Sequence, residues 1–545
     1  MARRTGIGLV RPGSTAETAK NAERQTGQKS GFDKNAHESP YGPGTFLGAA
    51  HKTPLIRINP GNIAPSQGGR AAKGRVCSGS ILAIPMGAFL GAARKSDMTT
   101  ISDVFSAQVP RYTSYPTAPH FSDAVGPSTY REWLAELPPD LPLSLYLHIP
   151  FCDTLCWFCG CHTSVVNHYA PVRDYCALLE KEIALVAKAL TGRHAVRHIH
   201  FGGGSPTMLD PADIRRLGEC LHAHFDILPD AEIAIEADPR GLTERVVEAF
   251  AAIGVNRASI GVQDCNPQVQ RAINRIQSDQ ETEQAIALLR RAGVRSINID
   301  LLYGLPHQTL QSWKETLDFA LTLDADRLAV FGYAHVPSFK KHQALIPADK
   351  LPDIEARFRM AELARETLCA HGYMAIGLDH FAKPGDSLAQ AKTQGLLCRN
   401  FQGYTTDRAE SLIGLGASSI GSLPQGYVQN AAAVPAYRVL LADGKLPVAR
   451  GIRLSQNDRM HRDAIQSLMC DMTVDLDAVA RAYGLDREAF RDAFGNLERL
   501  ARSGIISVQN GRVAMMPEWR SAVRIVAAAF DRYLPAGKAL HSLSV

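Results

Sequence analysis

From residue 143 onward, short apolar runs of strand length alternate with longer stretches in which apolar residues recur at helical spacing. The runs predict strands at 143–149, 196–201, 232–236, 257–262, 295–302 and 327–333, and the longer stretches predict helices at 172–190, 211–224, 242–253, 279–292 and 310–323. Strands and helices that alternate in this way form a parallel sheet covered by helices. The pattern therefore predicts an α/β fold.

Polar or small side chains occupy one face of most of these predicted strands. In the third strand Glu232, Ala234 and Glu236 share a face, because alternate side chains of a strand point to opposite sides. The corresponding residues in the other strands are Ser144, Tyr146 and His148; His198 and His200; Ser259, Gly261 and Gln263; and Ser296, Asn298 and Asp300. Buried parallel strands are normally apolar on both faces. We predict an incompletely closed barrel whose polar inner face encloses a ligand.

The pattern changes after about residue 440. Helical stretches at 458–472, 476–483 and 487–501 precede a predicted hairpin at 505–515, whose turn is Asn510-Gly511. Helices followed by such a hairpin are typical of a winged helix. This module also serves for packing alone, and DNA binding is the weaker interpretation.

Charge separates the first 97 residues from the rest of the chain. Residues 1–97 hold 14 Lys and Arg against 5 Asp and Glu, and residues 98–545 hold 45 against 49. The body is therefore slightly acidic, and nucleic acid is not an expected partner. Residues 1–97 show little periodicity and are predicted to be a disordered extension; a translation start at Met98 and a transit peptide are the alternatives.

The apolar stretch at 77–93 is interrupted by Pro85, Gly87 and Gly91. It is short for a membrane span of about 20 residues and lies too far from the N-terminus for a secretory signal. We expect no membrane association and a cytoplasmic protein. Thiols stay reduced in that compartment, so clustered cysteines indicate metal binding or catalysis.

Four of the 11 cysteines, Cys152, Cys156, Cys159 and Cys161, lie within ten residues directly after the first predicted strand. Three thiolates spaced C-x3-C-x2-C can bind three irons of a 4Fe-4S cluster and leave the fourth iron open for chemistry. A structural zinc site and a cluster that only transfers electrons are the alternatives. Zinc is disfavoured because Cys159 and Cys161 are too close for one tetrahedron.

This loop resembles that of the radical S-adenosylmethionine (SAM) enzymes, and Phe201-Gly-Gly-Gly-Ser-Pro206 resembles their glycine-rich segment. Glycine would allow the backbone to approach the methionine end of SAM closely. Over residues 105–540 the chain resembles, more specifically, the oxygen-independent coproporphyrinogen III oxidases. The matching motifs are Pro110-Arg-Tyr-Thr-Ser-Tyr-Pro-Thr117, Cys159-Gly-Cys161, Gly261-Val-Gln-Asp264, Asn298-Ile-Asp-Leu-Leu-Tyr-Gly-Leu-Pro306, Gly377-Leu-Asp-His-Phe381 and Arg399-Asn-Phe-Gln-Gly-Tyr-Thr405. Cys398 departs from the family pattern, which has His there.

The resemblance implies a partial (β/α)6 TIM-like radical SAM barrel with an N-terminal arm and a mainly helical C-terminal domain that ends in a hairpin. The expected divisions are an arm at 98–140, the barrel at 141–385, a connecting segment that completes the site at 386–440, and the C-terminal domain at 441–545.

The resemblance also implies the reaction. Two propionates of coproporphyrinogen III lose CO2 and become vinyl groups, giving protoporphyrinogen IX, after a 5′-deoxyadenosyl radical takes hydrogen from the propionate β-carbon. The expected partners are this substrate, an electron donor for the cluster and an unidentified electron acceptor, and the chain is expected to be a monomer. The alternatives are a haem-binding chaperone, against which Cys161 and the arm argue, a radical SAM methyltransferase acting on haem, and a DNA-binding iron-sulfur protein.

Site residues follow from the resemblance, position by position. Cys152, Cys156 and Cys159 would bind the 4Fe-4S cluster, and two SAM molecules would be bound by Tyr146, Phe158, Gly203, Gly204, Ser205, Glu236, Gln263, Arg275, Asp300, Ala334 and Ile420. Cys161 would act catalytically or on the substrate side. The substrate carries four carboxylates, and we expect Arg111 and Arg399 to contact its propionates.

Overall fold

The computed structural model describes residues 100–534 and Ser544. The predictions for residues 1–97 and for a start at Met98 lie outside the described residues. None of the helices in this part of the chain is long and apolar enough to cross a membrane.

Fifteen α-helices are present in residues 100–534: α1 Ile101–Phe105, α2 Pro127–Ala135, α3 Ala170–Ala189, α4 Pro211–His224, α5 Glu244–Ala252, α6 Pro267–Ala272, α7 Asp279–Arg291, α8 Leu310–Thr322, α9 Ile354–Ala370, α10 Ser387–Thr393, α11 Val434–Ala442, α12 Gln456–Asp471, α13 Leu476–Ala482, α14 Arg491–Arg502 and α15 Val523–Ala527. Short 3-10 helices lie at Ala118–His120, Pro206–Met208, Lys341–Leu345, Ala348–Lys350, Arg487–Phe490, Pro517–Ala522 and Ala528–Phe530. Several α-helices begin with a reciprocal capping box, for example Ser278 with Glu281 at α7.

The strands of the described residues are β1 Leu143–Ile149, β2 Phe151–Cys152, β3 Ser164–Val165, β4 Ala195–Gly203, β5 Asp226–Ala237, β6 Arg257–Gln263, β7 Ser296–Tyr303, β8 Arg327–Gly332, β9 Met374–Ile376, β10 His380–Ala382, β11 Cys398–Asn400, β12 Gly403–Thr405, β13 Ser411–Leu415, β14 Ile420–Leu423, β15 Gly426–Asn430, β16 Val448–Arg453, β17 Thr473–Asp475, β18 Ile506–Gln509 and β19 Arg512–Met515.

Twelve of these strands form one sheet in the order β16-β15-β14-β13-β1-β4-β5-β6-β7-β8-β10-β9. Its central strands β1, β4, β5, β6, β7 and β8 are parallel to one another, as predicted. Strand β13 adds a further parallel strand beside β1, and the remaining additions are antiparallel. No described pairing joins the outer strands β16 and β9, which agrees with the prediction of incomplete closure.

The predicted strand faces are reproduced in the burial of the side chains. In β6 the apolar residues Ala258, Ile260 and Val262 are buried, and the alternating polar or small residues are less buried. The apolar face packs against helices in the main hydrophobic core, which leaves the polar face inside the curved sheet.

Two differences from the prediction concern the large sheet. Strand β5 begins at Asp226 rather than at residue 232. Pro229 would be expected to end a strand, but the register of the pairing between β5 and β4 shifts in this region, and the strand continues through the proline. Strand β16 pairs with β15, so residues 448–453 extend the large sheet although the C-terminal domain was expected to begin at 441.

The C-terminal helices and the small sheet β17-β19-β18 enclose a second core. The predicted hairpin is formed by β18 and β19, and both of its turn residues, Asn510 and Gly511, have positive φ, as a type I′ turn requires. The arm contributes Phe105, Tyr112 and Tyr115 to this same core. The arm is thus anchored to the C-terminal helices.

Candidate active site

The cysteine loop follows β1 at the end of the sheet where parallel-strand enzymes place their active sites. Its backbone is fixed by neighbours: the Trp157 amide donates to the Ile273 carbonyl (2.9 Å), and Asn274 Nδ2 donates to the Leu155 carbonyl (2.8 Å). These contacts hold the loop in a defined shape over the strand ends.

Three side chains from the turn after β8 hold the other side of this loop. Gln343 Nε2 donates to the Phe158 carbonyl (3.0 Å), His342 Nε2 to the Cys159 carbonyl (2.7 Å) and Lys340 Nζ to the Cys161 carbonyl (2.9 Å). The loop that carries four thiols is therefore clamped from both sides.

Two guanidinium groups reach the sulfur of Cys156. Arg240 Nη2 and Arg275 Nη1 each lie 3.6 Å from Cys156 Sγ. Asp238 binds both arginines, at 2.6 Å from Arg240 Nη2 and 3.2 Å from Arg275 Nη1. Burial alone would raise the pKa of Asp238, but the hydrogen bond from Arg240 and the charge of Arg275 lower it below its ordinary value. The arrangement directs positive charge at a thiolate ligand.

The glycine-rich segment passes between tightly packed groups. Gly203 has φ +116°, and a Cβ there would lie 2.7 Å from the His148 imidazole; a Cβ at Gly204 would lie 2.4 Å from the Phe151 carbonyl oxygen. The prediction attributed these glycines to close approach of SAM. The described atoms already require them, because the cysteine loop and β1 occupy the space that a side chain would need.

We expect Gly203→Ala to lower the free energy of unfolding by about 2 kcal/mol, because alanine is strained at this φ and its methyl group displaces His148. Chemical denaturation of the protein measures the change. Gly385→Ala is the matched control, since no atom lies within 4 Å of a Cβ at Gly385. Equal stability of the two variants would contradict the prediction.

Glu236 lies near the end of β5 and faces the glycine-rich segment. Its Oε2 accepts the Gly203 amide N–H (3.0 Å) and its Oε1 lies 3.1 Å from His200 Nε2. Burial would raise the pKa of Glu236, but the His200 contact and the Gly203 hydrogen bond lower it, so the carboxylate is ionised at neutral pH. Glu236 can accept hydrogen bonds from an ammonium group or from ribose hydroxyls.

Asp300 lies in β7 on the same inner face. It accepts hydrogen bonds from Ser259 Oγ (2.9 Å) and Asn298 Nδ2 (2.8 Å), and burial raises its pKa to about 6. The sheet thus presents two carboxyl groups, Glu236 and Asp300, with different proton affinities.

Two cavities contain most of the predicted cofactor residues. The first cavity is lined by Cys152, Cys156, Phe158, Cys159, Cys161, Gly203, Gly204, Glu236, Gln263, Arg275 and Asp300. The second cavity is lined by Tyr146, His148, Cys161, Gly203, Glu236, Phe401, Leu412 and Ile420. Cys161, Gly203 and Glu236 line both, so the two cavities meet at these residues. Ser205 lines a neighbouring cavity together with Cys152. Ala334, which follows β8, lines neither the first nor the second cavity.

Hydrogen bonds determine the tautomer of His148 in the second cavity. His148 Nε2 contacts the carbonyl of His162 (2.9 Å) and must donate to it, so Nδ1 accepts from the Tyr146 hydroxyl (3.0 Å). Burial lowers the pKa of His148, which favours this neutral form. Tyr146 also stacks on His200, with ring centroids 5.8 Å apart.

The loop between β13 and β14 directly precedes Ile420, the first residue of β14, which lines the second cavity. Glu182 on α3 holds this loop. The Gly416 amide and Asn430 Nδ2 donate to the Glu182 carboxyl oxygens, both at 2.6 Å. Burial raises the pKa of Glu182 to about 7. A helix that covers the sheet thereby positions a wall of the second cavity.

Arg111 and Arg399 meet at a separate site. Arg399 Nη2 lies 3.4 Å from the Arg111 carbonyl, and Arg111 Nη2 donates to the Gly332 carbonyl at the end of β8 (2.9 Å). Both side chains line the arginine pocket, which also includes Glu362, Arg365, Asp379, Arg520 and Arg524. Arg399 in addition lines a third cavity, with Tyr112, Asn400, Phe401 and Leu412. Neither arginine lines the first or second cavity.

Comparison with known proteins identifies the family. Residues 146–320 match the radical SAM superfamily. The chain is 49% identical over 438 residues to the oxygen-independent coproporphyrinogen III oxidase of Bradyrhizobium diazoefficiens, and the match covers 80% of this chain and 97% of that protein. It is 44% identical over 439 residues to the enzyme of the same name from Paracoccus denitrificans, and this match covers 79% of this chain and 95% of that protein. The structure matches coproporphyrinogen III oxidase from Escherichia coli, a radical SAM enzyme, with a TM-score of 0.75, 38% identity and coverage of 78% of this chain and 100% of that one.

The chain belongs to the oxygen-independent coproporphyrinogen III oxidase family. The resemblance inferred from the motifs is therefore confirmed, and the oxidase family implies a 4Fe-4S cluster and SAM.

The residues of this oxidase-family member fit such a cluster. Cys152, Cys156 and Cys159 are free thiols in the wall of one cavity. Within the described residues, no three His, Cys, Asp or Glu side chains converge as they would on a single metal ion. A four-iron cluster binds each thiolate through a different iron and needs no such convergence.

Sequence reasoning missed several residues of this oxidase site. Asp238 and Arg240 follow Glu236 directly in Glu236-Ala-Asp-Pro-Arg240, just past a predicted strand end, and that position was the available signal. Lys340 and His342 had no comparable signal, because they lie at the short 3-10 helix Lys341–Leu345, eight or more residues after β8 ends.

Proposed function

We propose that this chain converts coproporphyrinogen III to protoporphyrinogen IX without oxygen, turning two propionates into vinyl groups with release of CO2. Haem-binding chaperones and methyltransferases were the sequence-based alternatives, and the match to oxidases over nearly their whole length favours the oxidase. The observation that carries the proposal is that the cysteine loop, the glycine-rich segment and Glu236 line one cavity.

The placement of the site residues supports the roles proposed for them. When bound, the cluster and SAM supply a carbon radical that takes a hydrogen atom from the substrate. Cys152, Cys156 and Cys159 hold the cluster, and the guanidinium groups at Cys156 Sγ stabilise its thiolate. Glu236 and Asp300 bind polar groups of SAM, and the other predicted cofactor residues complete its binding surfaces.

Two SAM molecules are part of the proposal, because two cavities meet at Gly203 and Glu236. Cys161 lies where they meet and lines both cavities, which suits a role on the substrate side. Arg111 and Arg399 are proposed to bind propionates through charge-assisted hydrogen bonds.

The proposed reaction requires an electron donor for the cluster and an acceptor for the electron released when CO2 leaves the substrate radical. We also propose that the enzyme is a monomer and acts in the cytoplasm. The donor and the acceptor are defined by this electron balance alone.

The proposed function is tested by anaerobic incubation of the reconstituted protein with coproporphyrinogen III, SAM and a reductant. We expect protoporphyrinogen IX, 5′-deoxyadenosine and CO2. An intact cluster that cleaves SAM without forming vinyl groups would contradict the oxidase and favour one of the alternatives.

We expect Ile420→Glu to reduce the SAM bound per chain from two molecules to one. Ile420 lines the second cavity and not the first, and a longer charged side chain there would fill the binding space. Equilibrium dialysis with labelled SAM measures the stoichiometry, and unchanged iron content shows that the first cavity is intact. Binding of one SAM by the unaltered protein would contradict the two-molecule proposal.

A further inference from the structure

The arginine pocket carries more positive charge than its own carboxylates balance. Five arginines, Arg111, Arg365, Arg399, Arg520 and Arg524, line it together with Asp379 and Glu362. Glu362 is bound by Arg365 at 2.8 Å, so Asp379 faces the other four. An enclosed site with this imbalance favours an anion.

Arg399 has unsatisfied hydrogen-bonding capacity. Its side chain is 5% exposed, and its Nε and Nη1 have no hydrogen-bond partner. The nearest ion-pair contact of Nη1 is Asp379 Oδ1 at 3.9 Å, beyond hydrogen-bond distance. Buried charged donors without acceptors destabilise a protein, and a bound carboxylate would supply the missing acceptors.

Arg524 is also buried and shows the effect of the unbalanced charge. Its guanidinium donates to the Val109 carbonyl (2.6 Å) and the Pro110 carbonyl (3.1 Å), directly before Arg111. Burial, together with the charges of Arg111 and Arg399, lowers the pKa of Arg524 to about 9. Arg524 thus fixes the arm that presents Arg111 and adds to the positive field of the pocket.

Adjoining cavities, each sharing lining residues with the next, extend from the arginine pocket to the cysteine loop. Arg399 lines both the arginine pocket and the third cavity. Phe401 and Leu412 line both the third cavity and the second, which in turn shares Cys161 and Glu236 with the first. The arginine pocket is therefore at one end of a series of spaces whose other end is the cysteine loop.

The substrate of the proposed reaction matches this arrangement. Coproporphyrinogen III carries one propionate on each of its four pyrrole rings, and the two rings that react are adjacent. When either reacting ring faces the radical source, the ring opposite carries a propionate that the reaction leaves intact.

We propose that the arginine pocket binds the propionate opposite the reacting ring, with Arg399 as its direct contact and Arg111 beside it. This inference rests on the proposed function and deepens it. One anchor then serves both decarboxylations, because turning the macrocycle by one ring brings the second retained propionate to the pocket. Loss of Arg399 must therefore weaken both steps.

The test uses the holoenzyme under anaerobic conditions and the variant Arg399→Gln. We expect KM for coproporphyrinogen III and KM for the monovinyl intermediate each to rise about tenfold or more, with kcat changed far less, because a charge-assisted contact is lost in binding. Arg399→Lys should recover part of the affinity. Arg453→Gln is the control, since that guanidinium lies over Trp133, away from the pocket. Unchanged KM values, or a rise for one substrate only, would overturn the proposal.

A binding measurement separates this inference from the proposed function. Quenching of tryptophan fluorescence by coproporphyrin III, the oxidised four-propionate macrocycle, is compared between wild type and Arg399→Gln. Weaker binding by the variant supports the anchor even if the wild type forms no product. Absence of product would contradict only the proposed oxidase activity. Equal binding with normal turnover overturns the anchor and leaves the oxidase standing. If Arg399→Gln loses iron or unfolds at lower temperature, Arg111→Gln provides the same measurements from the exposed side of the pocket.

Discussion

Replacing Cys156 with serine is expected to remove the 4Fe-4S cluster and to abolish product formation. A serine hydroxyl stays protonated near neutral pH and does not replace a thiolate as an iron ligand. The side chain is buried and its sulfur lies 3.6 Å from both Arg240 Nη2 and Arg275 Nη1, so the variant also loses the anion that these two arginines approach. Iron and sulfide content after anaerobic reconstitution, together with product analysis, measures the effect.

Cys161→Ser provides the comparison that tests the assignment of the ligands. Its backbone N–H donates to Cys159 Sγ at 3.4 Å, and serine keeps that contact. We expect this variant to retain iron and to cleave SAM, but to lose vinyl formation, because Cys161 is proposed to act on the substrate side. If Cys161→Ser lost as much iron as Cys156→Ser, the set of three ligands would be wrong.

The central strands could be predicted because each is encoded locally. Alternation along 257–262 predicted both β6 and its faces, and the buried alternate residues of β6 confirm them. The strand β13 could not be identified in this way. It pairs Ser411 with Leu143, residues far apart in the chain, and only the tertiary fold brings them together.

The same distinction applies to the candidate site. The cysteine spacing is local, so the loop was evident in the sequence. Arg240 contacts Cys156 from another strand end, and no local pattern links these residues. Arg111 and Arg399 were predicted as contacts of the substrate carboxylates because of their charge, and the structure places both in one pocket. The remaining arginines of that pocket are Arg365 on α9 and Arg520 and Arg524 from the C-terminal region.

We expect Glu236→Gln to weaken SAM binding about 10- to 100-fold, since one charged hydrogen bond contributes about 1.5–3 kcal/mol. Glu236 lines both cavities, and its pKa lies below the ordinary value, so the native group is an anion at neutral pH. Glutamine keeps an acceptor for the Gly203 N–H but removes the charge. The dissociation constant of SAM, measured on the holoprotein by equilibrium dialysis, and the rate of 5′-deoxyadenosine formation report the change.

Glu232→Gln is the matched control, because it removes a negative charge from β5 outside the two cavities. Glu232 lies on the same face of β5, contacts Arg257 at 3.0 Å and lines neither cavity. We expect this control to bind SAM normally. Equal weakening in the two variants would indicate that charge on β5 acts through the fold, and normal SAM binding by Glu236→Gln would exclude Glu236 as a contact. Weakening confined to Glu236→Gln is the result expected if the carboxylate at the junction of the two cavities binds SAM directly.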